Sequence, residues 1–191
     1  MNLDKLITSL KQSPIVKKGE YNYVIHPITD GIPEVTPDLL SEVTQALKEK
    51  ISSFTPFDKL VTMEAMGIPL ASALSLEMNI PFTIIRKRCY GLPDEQSVKQ
   101  CTGYSKATLF INGLKENDTV VIVDDVLSTG GTLKAVLHTL ELMGVKVKAV
   151  FVAVDKGTIA KNLTQETGIP IQSLVHIQVS ENEVLIDIDA D

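Results

Sequence analysis

Residues 120–132 (VVIVDDVLSTGGT) constrain the fold of this 191-residue chain more than any other segment. The apolar run 120–123 has the length and β-branched composition of an interior strand in a parallel sheet. Asp124 and Asp125 follow it, at the predicted carboxyl end of the strand, where open α/β sheets bind ligands. Small and hydroxyl residues then lead into a predicted helix. The segment therefore predicts a strand, a ligand-binding loop and a helix in direct succession.

The predicted loop consists of Ser128, Thr129, Gly130, Gly131 and Thr132. Glycines allow the backbone N–H groups to turn towards an anion, and the following helix directs its positive end to the same point. The two carboxylates can accept hydrogen bonds from sugar hydroxyls. A ribose 5-phosphate satisfies both halves, whereas an ordinary capped turn would leave two acids at a buried strand end without a partner. Neither G-x-x-x-x-G-K-[ST] nor G-x-G-x-x-G occurs in the chain.

The rest of the chain alternates predicted strands and helices, which indicates a twisted, mainly parallel sheet flanked by helices in a single α/β domain. Residues 1–35 are expected to form a small N-terminal hood, and residues 86–106 an irregular, flexible loop. Helices are predicted near 3–10, 36–51, 67–78, 131–143 and 158–167. Strands are predicted at 21–25, 59–63, 80–85, 107–111, 120–123 and 147–154, with a closing hairpin at 174–179 and 183–188.

Composition excludes several classes of function. The chain carries 24 acidic and 18 basic residues, a net charge of −6, which argues against non-specific binding to nucleic acid or to acidic membranes. No apolar stretch approaches the roughly 18 residues of a membrane span, and no secretory signal is evident. Cys89 and Cys101 are the only cysteines, which predicts free thiols in the cytoplasm, with a reversible disulfide as the less favoured alternative.

Segment 120–132 resembles the phosphoribosyl-diphosphate (PRPP) signature of type I phosphoribosyltransferases. The resemblance implies the fold of that family, PRPP and a purine base as substrates, Mg²⁺ bound through PRPP with no protein-held metal, and a homodimer. It implies that Asp124 and Asp125 are the catalytic pair, holding the ribose hydroxyls or metal-bound waters. It also implies that residues 128–132 bind the 5′-phosphate.

Two further segments are similar to the diphosphate-binding parts of this family. Glu64, Ala65, Met66 and Gly67 follow a predicted strand and resemble the Glu-Ser/Ala-Arg-Gly loop of adenine-type members, with Met66 in the place of the arginine. The run 86–88 begins with Arg86 and Lys87, which the resemblance assigns to the diphosphate, partly across a dimer interface. The following loop is expected to close over the site and keep water out.

Lys156 is the predicted base-reading residue. It follows a predicted strand, as does the lysine that contacts the 6-oxo group of purines in xanthine- and hypoxanthine/guanine-type members. A lysine can only donate, so it suits a carbonyl and opposes an exocyclic amine. The hood resembles the segment that covers the base, and either Ile28 or Ile32 is expected to pack on the purine.

The whole pattern is most similar to the archaeal hypoxanthine/guanine members of the family, which implies purine salvage yielding IMP or GMP. Xanthine, adenine and orotate transferases, and a PRPP-sensing regulator without turnover, remain as alternatives. Residues 102–106 lack the Leu-Glu-Tyr-Gly run of adenine-specific members, which weakens the adenine alternative. Asp94 and Glu95 are predicted to be solvated charges. His26, His138 and His176 are dispersed without metal-ligand spacing, which predicts surface or hydrogen-bonding roles.

Overall fold

A computed structural model describes residues 2–19, 21–99 and 108–188 of the chain. Its helices and strands, in chain order, are α1 (Asp4–Gln12), β1 (Ile15–Lys18), β2 (Tyr21–Val24), α2 (Pro27–Asp30), α3 (Pro37–Ser52), β3 (Lys59–Met63), α4 (Gly67–Met78), β4 (Phe82–Ile85), β5 (Gln96–Lys99), β6 (Thr108–Ile111), β7 (Thr119–Leu127), α5 (Gly131–Leu142), β8 (Lys146–Lys156), α6 (Ile159–Thr167), β9 (Ile171–Val179) and β10 (Val184–Asp187).

The main sheet has six strands in the order β10-β9-β8-β7-β3-β4. The strands from β9 to β4 are parallel, and β10 closes one edge in an antiparallel hairpin with β9. The predicted α/β class, the mainly parallel sheet and the closing hairpin are therefore confirmed. Strand β7, which carries the acidic pair, lies in the interior of the sheet between β3 and β8.

Apolar side chains on the two faces of the sheet form two separate cores. Val121 and Val123 of β7 belong to the core that packs under α1, α3 and α4. Val120 and Ile122 belong to the opposite core, formed with α5, α6 and the β5–β6 hairpin. The alternation follows from the two-residue period of a strand. All four side chains are fully buried, and each such side chain stabilises the fold by about 1.5–3 kcal/mol.

Strand β7 is longer than the sequence predicted, because it continues through both acids to Leu127. Its pairing with β8 continues at Asp124, opposite Val152, and at Leu127, opposite Asp155. The apolar run alone therefore underestimated the strand. The backbone hydrogen bonds of the ladder hold Asp124 and Asp125 in extended conformation, so both side chains are attached to the rigid centre of the sheet.

Two short strands were missed by the sequence analysis. Strand β1 pairs with β2 in the hood, and β5 pairs with β6 in a second antiparallel hairpin. The expectation of an irregular segment throughout 86–106 was thus wrong for Gln96–Lys99, where pairing with a distant partner overrode a weak local pattern. Residues 102–106 and Cys101 lie outside the described residues. Cys89 is exposed and has a free thiol, as predicted.

Glu95 is an anchor of the segment after Arg86, and the prediction of a solvated charge was wrong. Its carboxylate accepts hydrogen bonds from Cys89 Sγ, the backbone N–H groups of Tyr90 and Gly91, and Asn112 Nδ2 at 2.8–3.1 Å. These bonds, led by those from Cys89 and Asn112, lower the pKa of Glu95 to about 2. One carboxylate therefore ties a turn to the end of β6, a role that spacing along the chain does not reveal.

Candidate active site

A cavity of about 320 Å³ lies at the carboxyl end of β7 and the start of α5. It brings together segments that are separated in sequence, because the parallel strands end on the same side of the sheet. Its polar lining includes most of the predicted site residues: Asp124, Asp125, Ser128, Thr129, Gly130, Thr132, Glu64 and Lys87. Leu109 of β6 also lines it and had no signal in the sequence beyond its apolar character.

The two acids at the cavity are electrostatically strained. Burial is the main cause that raises the pKa of Asp124 well above its ordinary value, and the neighbouring Asp125 raises it further. Burial likewise raises the pKa of Asp125, with a further contribution from Asp30, while Lys156 opposes the rise. Two carboxylates that cannot easily ionise together favour a cation or hydroxyl donors between them. The pair is therefore suited to a ribose diol or to the hydration shell of a metal ion.

The predicted phosphate loop, residues 128–132, leads directly into α5. Gly130 has a positive φ of 76° and caps α5, whose first residue is Gly131. A Cβ at Gly130 would lie 2.8 Å from Leu163 Cδ1 and 3.0 Å from Ile159 Cγ2, so α6 packs directly against the loop. Glycine is required there by both conformation and space. The exposed Ser128 and Thr129 border the cavity at the positive end of the helix, an arrangement that binds anions.

Gly67 brings the predicted diphosphate loop against the acidic pair. A Cβ on this residue would lie 2.5 Å from Asp124 Oδ1 and 2.1 Å from Thr62 Oγ1, distances that no real side chain tolerates. Gly67 is also the first residue of α4, so a second helix begins beside Asp124. Met66 lies farther out, where its Sδ and Cε would contact a Cβ at Gly31 in the hood at 3.5 and 3.4 Å.

Glu64 and Arg86 form an ion pair, with Arg86 Nε 2.6 Å from Glu64 Oε2. Burial would raise the pKa of Glu64, but hydrogen bonds from the Lys87 N–H and from Arg86 lower it overall. Glu64 is therefore ionised and binds protein donors, so its carboxylate orients Arg86 rather than meeting a diphosphate. Lys87 lines the cavity itself, whereas Arg86, Ala65 and Met66 lie outside its wall.

Lys156 ends β8 and reaches into the hood. Its Nζ lies 5.6 Å from the ring centroid of Tyr23, within cation–π range. Burial lowers the pKa of Lys156, while the charges of Asp30 and Asp125 oppose that effect. The ammonium is thus placed between the hood and the acidic pair. Asp30 had no signal in the sequence other than its position in a turn.

The two isoleucines predicted for the purine face differ sharply in exposure. Ile28 is 2% exposed and belongs to the hydrophobic core under the hood. Ile32 is 56% exposed. A side chain that is already covered by protein has no surface left for a base, so the structure favours Ile32 and speaks against Ile28.

Hydrogen bonds fix the short helix α2 that carries Asp30. His26 is fully buried; its Nδ1 accepts from the Ile28 N–H, and its Nε2 lies 2.8 Å from Ser9 Oγ of α1. Asp30 Oδ2 accepts from the His26 N–H at 3.0 Å. Burial lowers the pKa of His26 to about 4, although Asp30 opposes this. The ring is therefore neutral near pH 7, in the hydrogen-bonding role that the sequence predicted.

The described residues lack the features of two other classes of site. Within 2–19, 21–99 and 108–188, there is no group of three or more His, Cys, Asp or Glu side chains that could hold a metal ion. In the same part of the chain, no helix combines the length and apolar character that a membrane span requires.

The parallel sheet, the acidic pair and the loop before α5 match the arrangement that the sequence predicted for a phosphoribosyltransferase. The family model described as phosphoribosyl transferase domain matches residues 34–180. The chain therefore belongs to the phosphoribosyltransferase family, and the predicted family membership is confirmed.

Relatives named hypoxanthine/guanine phosphoribosyltransferase match almost the whole chain. The one from Methanocaldococcus infernus is 52% identical over 182 residues, covering 95% of this chain and 99% of that relative. The one from Methanobacterium lacus is 50% identical and covers 96% of each chain. Among solved structures, adenine phosphoribosyltransferase from Thermoanaerobacter pseudethanolicus has a TM-score of 0.73 at 21% identity, covering 92% of this chain and 99% of that one. At that identity the likeness supports the fold alone.

Proposed function

We propose that this protein transfers phosphoribose from PRPP to hypoxanthine or guanine, giving IMP or GMP and diphosphate in purine salvage. The observation that carries the proposal is the pair Asp124 and Asp125 on the wall of a cavity that is also lined by the predicted phosphate loop at the start of α5. Relatives about 50% identical over nearly the full length carry the name of this activity. The reaction breaks the bond from ribose C1′ to the diphosphate oxygen and forms a bond from C1′ to a purine nitrogen.

The phosphate ends of PRPP are bound by backbone groups and cations. Ser128, Thr129, Gly130, Gly131 and Thr132 hold the 5′-phosphate at the positive end of α5. The N–H groups at the start of α4, from Ala65 to Gly67, together with Lys87 and Arg86, stabilise the leaving diphosphate. In this proposal Glu64 acts through Arg86, whose guanidinium it holds in place. Positioning supplies most of the rate, because no nucleophilic side chain is required.

The acidic pair holds the ribose. Positive charge develops on the ribose ring as the diphosphate leaves, and the nearby carboxylates stabilise that charge. Their raised pKa values fit a site that accepts a cation, and a magnesium ion bound with PRPP would neutralise part of the diphosphate charge. Asp124 and Asp125 would contact its waters, and the ligands nearest the metal would come from PRPP.

The hood selects the base. Lys156 donates to the 6-oxo oxygen of hypoxanthine or guanine, and Ile32 covers the purine face. The desolvated position of Lys156 strengthens such a bond, because little water competes for the ammonium. The hood at 1–35, an active-site role for segment 86–106, a homodimer and a cytoplasmic location belong to this proposal as predictions.

A panel of bases tests the proposal. The protein is mixed with PRPP and Mg²⁺ and separately with hypoxanthine, guanine, xanthine, adenine or orotate, and nucleotide formation is followed. We expect product from hypoxanthine and guanine, and a much lower rate with adenine, whose amine cannot accept from Lys156. Product from xanthine alone would assign the protein as a xanthine transferase. Xanthine differs from guanine only at position 2 of the purine, so the two kinds of enzyme would differ in the residues around that position. Binding of PRPP without product from any base would favour a sensing regulator and overturn the proposal.

A further inference from the structure

Three polar side chains form a buried network behind the predicted base site. Asp155, His176 and Ser173 are 0%, 5% and 3% exposed. His176 Nε2 lies 3.0 Å from Ser173 Oγ, and His176 Nδ1 lies 3.2 Å from Asp155 Oδ2. The order Ser–His–Asp is that of a hydrolytic triad, but a nucleophile enclosed by protein cannot reach a substrate. The network is therefore placed to hold neighbouring backbone rather than to react with a substrate.

The network makes hydrogen bonds to the backbone immediately after Lys156. His176 Nδ1 lies 3.1 Å from the carbonyl oxygen of Gly157, and the Gly157 N–H donates to the Ile177 carbonyl oxygen at 3.1 Å. Because a carbonyl oxygen can only accept, the proton resides on Nδ1, and Nε2 accepts from the Ser173 hydroxyl. Gly157 has a φ of 99°, so its carbonyl direction is set by a conformation that other residues rarely adopt.

Asp155 fixes the other side of the same turn. Its Oδ2 accepts from the Ala160 N–H at 3.0 Å, which ties the end of β8 to the first turn of α6. Consecutive residues of a strand point to opposite sides of the sheet. Accordingly, Asp155 is directed to α6 and His176, whereas Lys156 is directed to Tyr23 in the hood. The network thus holds the Lys156 backbone from behind while the ammonium projects into the predicted base site.

We propose that His176 is a positioning residue for base recognition: its Nδ1–H fixes the Gly157 carbonyl and thereby aims the Lys156 ammonium at the 6-oxo group of the purine. This inference rests on the proposed function. A lysine has four rotatable side-chain bonds, so its reach is defined only if its backbone is fixed. Loss of the Gly157 contact should therefore weaken binding of the base while leaving the PRPP site, which is attached to β7 and α5, unchanged.

Two amide substitutions separate the contacts of His176. In His176→Asn the amide nitrogen takes the position of Nδ1 and can still donate to Gly157. In His176→Gln the amide reaches the position of Nε2, so the Ser173 contact is kept and the Gly157 contact is lost. We expect His176→Asn to keep a near wild-type KM for hypoxanthine and guanine, and His176→Gln to raise it by about five- to tenfold. The KM for PRPP should stay within about twofold of the wild-type value in both variants. Only one net hydrogen bond is lost, and it lies away from the PRPP site on β7 and α5.

A double substitution tests whether the effect passes through Lys156. If His176 acts by aiming Lys156, then adding His176→Gln to Lys156→Met should raise the base KM no further than Lys156→Met alone, because the two residues form one unit. His138→Gln, on the exposed side of α5, is the matched control for a histidine-to-amide change and should leave both KM values unchanged. Thermal unfolding of each variant checks that the fold is intact.

The outcomes distinguish the two hypotheses. Wild-type protein that forms no nucleotide from any base overturns the proposed function. Wild-type protein that is active, combined with a His176→Gln variant whose base KM is normal, overturns the positioning role alone. Equal rises in the KM for base and for PRPP, or additive effects in the double variant, would also overturn it, since they indicate general loosening of the fold.

Discussion

Strands β7 and β8 are neighbours with similar sequences, yet the acidic residues at their carboxyl ends have different surroundings. Each is an apolar run followed by aspartate: Asp124 and Asp125 in β7, Asp155 in β8. In β7 the acids line a cavity, burial raises the pKa of both, and Asp125 raises that of Asp124 further. In β8 the acid is enclosed and accepts hydrogen bonds from Ala160 and His176. The same residue type is thus a predicted binding group in one strand and a structural support in the next.

The two strand ends differ in how an acidic residue affects the stability of the fold. Uncompensated charge at β7 destabilises the folded chain until a ligand supplies the missing cation or donors. At β8 burial also raises the pKa of Asp155, but hydrogen bonds from Ala160 and His176 oppose that rise and tie the aspartate to the turn that carries Lys156. A carboxylate at a strand end is therefore informative about function only once its partners are known.

The largest expected effect comes from neutralising the β7 pair. Asp124→Asn combined with Asp125→Asn should lower kcat/KM for PRPP by about 10³-fold or more, because the carboxylates lose their charge next to a developing cation. Steady-state rates with PRPP and hypoxanthine measure it, and circular dichroism checks the fold. A double variant that keeps wild-type activity would show that the β7 acids are not required for the reaction. The contrast between the ends of β7 and β8 would then be lost.

A smaller loss of activity is expected when the β7 acids are displaced rather than neutralised. Gly67→Ala places a Cβ where Asp124 Oδ1 and Thr62 Oγ1 now lie, so the start of α4 must move away from the acids. We expect kcat/KM to fall by about 10–100-fold, with a modest fall in Tm, since a misplaced group of this kind costs that order of rate. Gly19→Ala is the control, because open space surrounds that glycine and only its backbone conformation is affected. Similar kinetics for both variants would contradict the close packing of Gly67 on Asp124.

The smallest effect concerns stability, and its sign differs between the strands. Because the pKa values of Asp124 and Asp125 are raised in the folded state, the folded chain binds protons more tightly than the unfolded chain. Their favourable contribution is complete below the ordinary carboxylate value of 3.8 and is lost as the pH rises through the raised values. The double asparagine variant should therefore match wild type near pH 4 and be more stable at pH 7.

The corresponding change in β8 should be destabilising. Asp155→Ala leaves the Ala160 N–H without its acceptor and removes one of the two acceptors beside His176 Nδ1, the other being the Gly157 carbonyl oxygen, which costs about 2 kcal/mol. Urea unfolding at pH 4 and pH 7 measures the free energy of unfolding of both variants and of wild type. A stabilised Asp155→Ala protein, or a double asparagine variant less stable than wild type at pH 7, would show that the two strand ends do not differ as described.

The phosphate half of the candidate site was the part most readily predicted. Residues 124–132 form one continuous segment, so the strand, the acids, the glycines and the helix start could be read in order, and all except Gly131 line the cavity or border it directly. Gly131 instead begins α5. The base half was predicted less well, since Ile28 proved to be covered and Asp30 was not foreseen. Its parts come from the hood and from β8, which local patterns do not connect.

By itself the sequence determined the α/β class, the succession of strands and helices, and the chemistry at the end of β7, because periodicity and short-range turn chemistry act within a few residues. Only the tertiary structure decided that β7 extends through its acids, that Glu64 is paired with Arg86, that Glu95 is an anchor, and that Asp155 is enclosed with His176. Those outcomes depend on which distant groups share the same small volume. Burial and pairing there, rather than residue type, set whether a charge is free to bind a ligand.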